Sequence, residues 1–171
     1  RVEVNKTSSD SKVSAATNLL FTDLIVTKGC FDIPAGKSTE TENLTISENG
    51  KFANASTLNI TKDLTDAGTY SGDGTIYFTG TSEQNFSPKA GTNHTSYKNI
   101  ENTSANPLNI KADIWAENFT INSAKDTVFE EKSDISNLTI NSAQNTNFTK
   151  EASIGSMQDA TNAGDLFFNA G

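Results

Sequence analysis

The feature that most restricts how this chain can fold is a repeat of 19 residues. Asn118-Phe-Thr-Ile-Asn-Ser-Ala124 returns as Asn137-Leu-Thr-Ile-Asn-Ser-Ala143, an offset of 137 − 118 = 19. The same offset carries Thr127 to Thr146, Phe129 to Phe148 and Ile135 to Ile154. A period of about 20 residues is the length of one coil of a β-solenoid. Within the repeat, Phe119-Thr-Ile121 and Leu138-Thr-Ile140 read apolar-polar-apolar, and so do Leu44-Thr-Ile46, Leu58-Asn-Ile60 and Leu108-Asn-Ile110. Period two marks a strand with one buried side. The flanking apolar residues then point inward and the central Thr or Asn outward.

One such coil cannot cover its own apolar side. Stacked coils can, because like residues align in columns and each backbone pairs with its neighbours about 4.8 Å away. At about 1.5–3 kcal/mol per buried Leu, Ile or Phe, such columns dominate the stability. The expected core is Leu44, Ile46, Leu58, Ile60, Phe119, Ile121, Leu138 and Ile140, with Phe78, Phe129 and Phe148, while Thr45, Asn59, Thr120 and Thr139 should be exposed. Phe119 should lie over Leu138, and Phe129 over Phe148, in parallel register. The chain is therefore read as all-β, a parallel β-helix with coils of roughly 19–20 residues.

Longer matches suggest a second level of repetition. Glu42-Asn-Leu-Thr-Ile46 matches Glu117-Asn-Phe-Thr-Ile121 at an offset of 75, Leu58 matches Leu138 at 80, and Gly74-Thr-Ile-Tyr-Phe78 matches Gly164-Asp-Leu-Phe-Phe168 at 90. Turns are expected at Asn49-Gly50, Gly72-Asp73-Gly74, Ala90-Gly91 and Asn122-Ser123. The only helical expectation is a short segment within residues 11–20. Residues 1–23 carry no repeat and are read as an opening or capping segment. Residues 24–171 form the solenoid, read as a fragment of a longer array. Nothing after Ile154 reads as a polar cap, so the last coil is expected to be open and able to self-associate.

Composition excludes several functions. A net charge of −8 argues against nucleic acid and anionic membranes, which require clustered Lys and Arg. No run approaches the roughly 20 apolar residues of a membrane span. Asn, Ser and Thr make up roughly a third of the chain, as suits turns and the outside of a regular β structure. The single cysteine, Cys30, cannot form an intramolecular disulfide and reads as a small buried hydrophobe. Ten Asn-x-Ser/Thr sequons occur, as composition alone produces in Asn/Thr-rich strands, and they are given no glycan meaning.

The Asn-Leu-Thr-Ile cores, the Asn/Ser/Thr excess, the scarcity of cysteine and the stretch Gly74-Thr-Ile-Tyr-Phe-Thr-Gly80, Glu83-Gln-Asn-Phe86, Tyr97-Lys-Asn-Ile100 resemble repeat-rich bacterial surface proteins: autotransporter passenger domains and filamentous-haemagglutinin-type adhesins. The resemblance runs from about residue 24 to the C-terminus. It implies a right-handed β-helix exported to the cell surface or beyond.

Candidate chemistry is sparse. Asp63, Asp66 and Asp73 form one acidic group, expected in a solvated loop. Asp126, Glu130, Glu131 and Asp134 form another, interspersed with Lys125 and Lys132 as a mixed-charge surface. Glycoside cleavage needs two carboxylates across a sugar, and Arg1 is the only arginine, which removes the usual clamp for an acidic sugar. The lone His94 lies in a polar loop without a partner for a triad. Neither EF-hand nor Gly-Gly-x-Gly-x-Asp repeats occur. No catalytic, metal or cofactor residue is assigned. Tyr70, Tyr77, Tyr97 and Trp115 would form a sugar-stacking platform if they shared one face. Tyr97, Trp115 and Asp73 are the candidate ligand contacts.

These readings favour a non-catalytic structural or adhesive module, a rigid stalk or display surface for a host-surface protein, matrix protein or glycan. The alternative is a carbohydrate-binding or polysaccharide-processing β-helix. A flat-lattice binder such as an ice-binding solenoid comes third, because the outward threonines form single files and no wide grid.

Overall fold

The computed structural model describes residues 1–159 and 164–169. These residues hold no helix and seventeen strands. The first five are β1 (Val2–Asn5), β2 (Lys12–Ser14), β3 (Leu19–Ile33), β4 (Ser38–Asn54) and β5 (Thr57–Ile60). Next come β6 (Leu64–Asp66), β7 (Thr69–Ser71), β8 (Thr75–Phe78), β9 (Gln84–Ser87), β10 (Ser96–Asn102) and β11 (Leu108–Ile110). The last six are β12 (Ile114–Ile121), β13 (Thr127–Phe129), β14 (Ser133–Ile140), β15 (Thr146–Phe148), β16 (Ala152–Asp159) and β17 (Leu166–Phe168). Every pairing among them is parallel, and the chain winds as a β-solenoid of about 9 turns.

Three columns of inward side chains define three faces. On the first face, Leu24, Leu44, Leu64, Phe86, Ile110, Phe129 and Phe148 follow one another in register. The second carries Thr39, Leu58, Ile76, Ile100, Phe119 and Leu138. The third carries Phe31, Phe52 and Tyr70, then Tyr97, Ala116 and Ile135, the two runs joined where the Tyr70 and Tyr97 rings sit 5.3 Å apart. Aromatic rings stack along the axis: Phe129 and Phe148 are 4.4 Å apart and 10° from parallel. All the apolar residues expected in the core are buried. Phe119 pairs with Leu138 and Phe129 with Phe148, as the period of 19 requires.

The long strands bend round corners. In β12 the burial alternates up to Ala116, two successive residues (Glu117 and Asn118) face out, and alternation resumes at Phe119. That doubled outward pair moves the chain from the third face to the second without breaking the strand. Glycines permit the tightest corner. Gly50 and Gly68 are buried, and a Cβ on Gly50 would collide with the Val26 carbonyl of the adjacent coil, as one on Gly68 would with Gly50.

Several expectations are corrected. Residues 11–20 form no helix: β2 and the start of β3 already pair in the stack, where ladder hydrogen bonds outweigh a weak local preference. The boundary at residue 23 falls inside β3, and β1 and β2 belong to the first coil. Asn49-Gly50 is no turn but runs through β4, paired with Lys28 and Gly29. Thr45, Asn59, Thr120 and Thr139 do point outward but are half-buried, because in-register side chains above and below shield them. The offsets of 75 and 90 join different faces: Leu44 lies in the first column and Phe119 in the second, while Ile76 lies in the second column and its match Leu166, in β17, pairs with Thr146 of β15 beneath the first face. The offset of 80 holds, since Leu58 and Leu138 share the second column. Of the stretch expected to lack a cap, residues 160–163 and 170–171 lie outside the described residues.

Candidate functional site

The three candidate ligand contacts do not converge. Tyr97 faces inward at 1% exposure, and its hydroxyl donates to Asp66 Oδ2 at 2.7 Å. Burial, and then the Asp66 charge, push its phenol well above the ordinary value. It is a core residue and offers no ring to a ligand. Asp73 is exposed in the bend after Gly72, a glycine at φ +107°, and its backbone carbonyl accepts a hydrogen bond from Asn99 Nδ2 at 2.9 Å. Trp115 stands outward on the third face, in register with Ser96 above and Asp134 below. Of the wider platform, Tyr70 is buried against Phe52, and its hydroxyl accepts from Asn54 Nδ2 at 2.8 Å. Tyr77 points outward beside Glu101, and Glu101's next neighbour in that column, Thr120, lies beyond the β12 corner from Trp115. The tyrosines and the tryptophan therefore share no face.

The acidic groups separate too. Asp63 accepts from the Asn85 backbone amide at 2.8 Å, Asp73 is in solvent, and Asp66, expected in a solvated loop, is 3% exposed. Asp66 accepts from Gly68 N, Thr95 Oγ1 and Tyr97 Oη, three donors that make burial of a carboxylate tolerable. In the second group the charges pair between coils: Lys111 with Glu130 and Lys132 with Glu151, each pair 19 residues apart, as are Lys98 and Glu117. Among the described residues no three of His, Cys, Asp and Glu gather as metal ligands would.

Cys30 was expected in the core. It is half-buried and outward, between the inward Gly29 and Phe31, because the strand's alternation puts its neighbours inside. Burial and the nearby Asp32 push its thiol up, away from the reactive thiolate.

His94 is where the structure adds most. The segment 88–95 between β9 and β10 lengthens its coil, so that Phe86 pairs with Ile110 24 residues on. Both ends of the segment are tied down. Lys89 Nζ donates to the Gly68 carbonyl at 2.7 Å, and the Thr95 amide closes the loop onto the Lys89 carbonyl. Thr95 is anchored to Asp66. At the exposed tip, the His94 ring stacks on Trp115 with centroids 3.9 Å apart and planes 17° from parallel.

The residues that sequence reasoning missed are the buried polar ones. Gln84 donates from Nε2 to the carbonyls of Ile60 and Lys62 and accepts from Gly80 N. Asn102 donates to Thr127 Oγ1 and accepts from Ser104. The signal was available: Asn54, Asp66, Gln84 and Asn102 each stand two residues from a core residue (Phe52, Leu64, Phe86 and Ile100), so period two already points them inward. No family model, curated protein or solved structure matches the chain.

Proposed function

We propose that the chain is a non-catalytic structural or adhesive module of a bacterial cell-surface or secreted repeat protein, a rigid stalk that doubles as a display surface. The observation that carries this reading is the continuous core of the stack. Three inward columns run through successive coils, buried polar groups such as Asp66, Gln84 and Asn102 are hydrogen-bonded, and Lys–Glu pairs tie adjacent coils. Such a column transmits force along its axis through many parallel strand pairs and offers proteases few mobile segments. About 9 turns at roughly 4.8 Å give a rod about 43 Å long.

In this reading the relatives are autotransporter passengers and filamentous-haemagglutinin-type adhesins, and the module works outside the cell. Its partners are a host-surface protein, a matrix protein or a glycan, with other copies of the chain as further partners.

Small-angle scattering, limited proteolysis and a reducing-end assay on polysaccharides test the proposal together. An elongated particle, resistance of 1–159 to trypsin and no release of reducing ends are expected. Turnover of any polysaccharide, or rapid cleavage throughout the coils, overturns it.

A further inference from the structure

We infer that the ledge made by His94, Trp115 and Asp134 on the third face is a binding site for a neutral saccharide. The inference rests on the display-surface reading and supplies its ligand class. Most loops of this solenoid are short. The one at 88–95 is long and pinned by a buried carboxylate, and compact anchored loops on a rigid scaffold are a usual place for recognition.

What the anchoring achieves is specific. It delivers an exposed imidazole onto the face of the chain's single tryptophan. With one face against Trp115, His94 turns its other face to solvent, and the half-buried Trp115 extends the aromatic surface beneath it. An aromatic face is electron-rich and accepts the weakly positive C–H groups on the flat side of a pyranose.

Polar groups of the matching kind flank it. Asp134 is exposed in register with Trp115, takes part in none of the described ion pairs, and offers a carboxylate to two sugar hydroxyls. Ser96 and Ser153 continue the same outward column above and below. The neighbouring Lys98 and Glu117 neutralise each other, which leaves no cationic clamp for an acidic sugar. A few convergent polar groups beside an aromatic surface are what a small saccharide site requires.

Trp115 is the only tryptophan, so its fluorescence reports on this site alone. The test titrates the intact chain with neutral trisaccharides of glucose, galactose and N-acetylglucosamine, followed by Trp115 emission and by calorimetry. At least one should shift the emission saturably. Trp115→Ala and His94→Ala should each weaken calorimetric binding tenfold or more, and Asp134→Asn severalfold. Circular dichroism checks that the variants fold, and His94, on an exposed loop tip, can be removed even if Trp115 cannot.

Absence of binding by every sugar overturns the site and leaves the stalk standing. Binding unchanged in all three variants also overturns it. So does capture of only a basic peptide, lost in Asp134→Asn and at high salt, since the ledge would then be a cation site. Release of reducing ends with binding intact would instead sink the non-catalytic reading and keep the site.

Discussion

The two ends of β10 mark a change in how the solenoid is held together. After it, the spacing is uniform as far as β16, and the pairing of β15 with β17 lengthens to 20: Asn99, Asn118 and Asn137 pair at intervals of 19, and so do Ile100, Phe119 and Leu138. Here each coil repeats the contacts of the last. Asn118 Nδ2 donates to Asn99 Oδ1 at 2.9 Å, and Asn137 Nδ2 to Asn118 Oδ1 at 3.0 Å. Before it, the spacing wanders: Leu58 to Ile76 is 18, Leu64 to Phe86 is 22 and Ile76 to Ile100 is 24. There the register is kept by single buried polar residues, each with its own partners: Asn54, Asp66 and Gln84. A constant period spreads stability over many weak, interchangeable contacts. An irregular one concentrates it in a few bonds that cannot be replaced.

That contrast can be broken most sharply in the shared core. Phe129→Ala removes a ring packed edge-on against Phe119 and stacked on Phe148, and should cost about 3–5 kcal/mol by chemical denaturation. A loss under about 1 kcal/mol would mean that the columns are not the main source of stability. Next comes the irregular region: Asp66→Ala leaves the hydroxyls of Thr95 and Tyr97 buried without their acceptor and should cost about 3 kcal/mol. It should also release the loop, raising the rate of proteolysis within residues 88–95 while leaving 96–159 protected.

Alkaline pH acts on the same region. The Tyr70 and Tyr97 phenols are both raised above their ordinary value of 10.0, chiefly by burial. The folded state then holds those protons more tightly than the unfolded chain. The stability this confers is fully present below about pH 10 and is lost as pH rises from there toward the raised folded values. Thermal midpoints should fall steeply above that pH, and less steeply in Tyr97→Phe; equal slopes would place the alkaline transition elsewhere. The smallest effect belongs to the regular region. Asn118→Ala removes one rung of a half-exposed ladder and should cost about 1 kcal/mol or less. A loss as large as that of Asp66→Ala would erase the distinction between the two regions.

How much of this was legible follows from the same distinction. In the regular coils, the offset of 19 gave register, parallel pairing and core membership together, because one number governs every contact there. It misled where the same apolar-polar-apolar triplet was matched across 75 or 90 residues. Any half-buried strand carries that pattern whichever face it lies on, so Leu44 and Phe119 look alike while standing in different columns. The candidate site was legible only at Trp115. Tyr97 reads as a ring for stacking on a sugar, yet its place immediately before the outward pair Lys98 and Asn99 fits a core position. In sequence Asp134 reads as part of a mixed-charge surface and His94 as part of a polar loop, since nothing local ties residue 94 to residue 115.

The sequence by itself determined the β-solenoid, its coil length and most of its core, because alternation and period are local properties that pairing merely repeats. Tertiary structure alone decided which polar residues are enclosed and which outward residues meet. Gly50 shows why. In sequence, Asn49-Gly50 reads as a turn. In the stack the same glycine continues a strand, and its missing side chain makes room for the Val26 carbonyl of the neighbouring coil. The stacking of His94 on Trp115 likewise depends on the path of an anchored loop, and on a carboxylate at Asp66 buried one coil away.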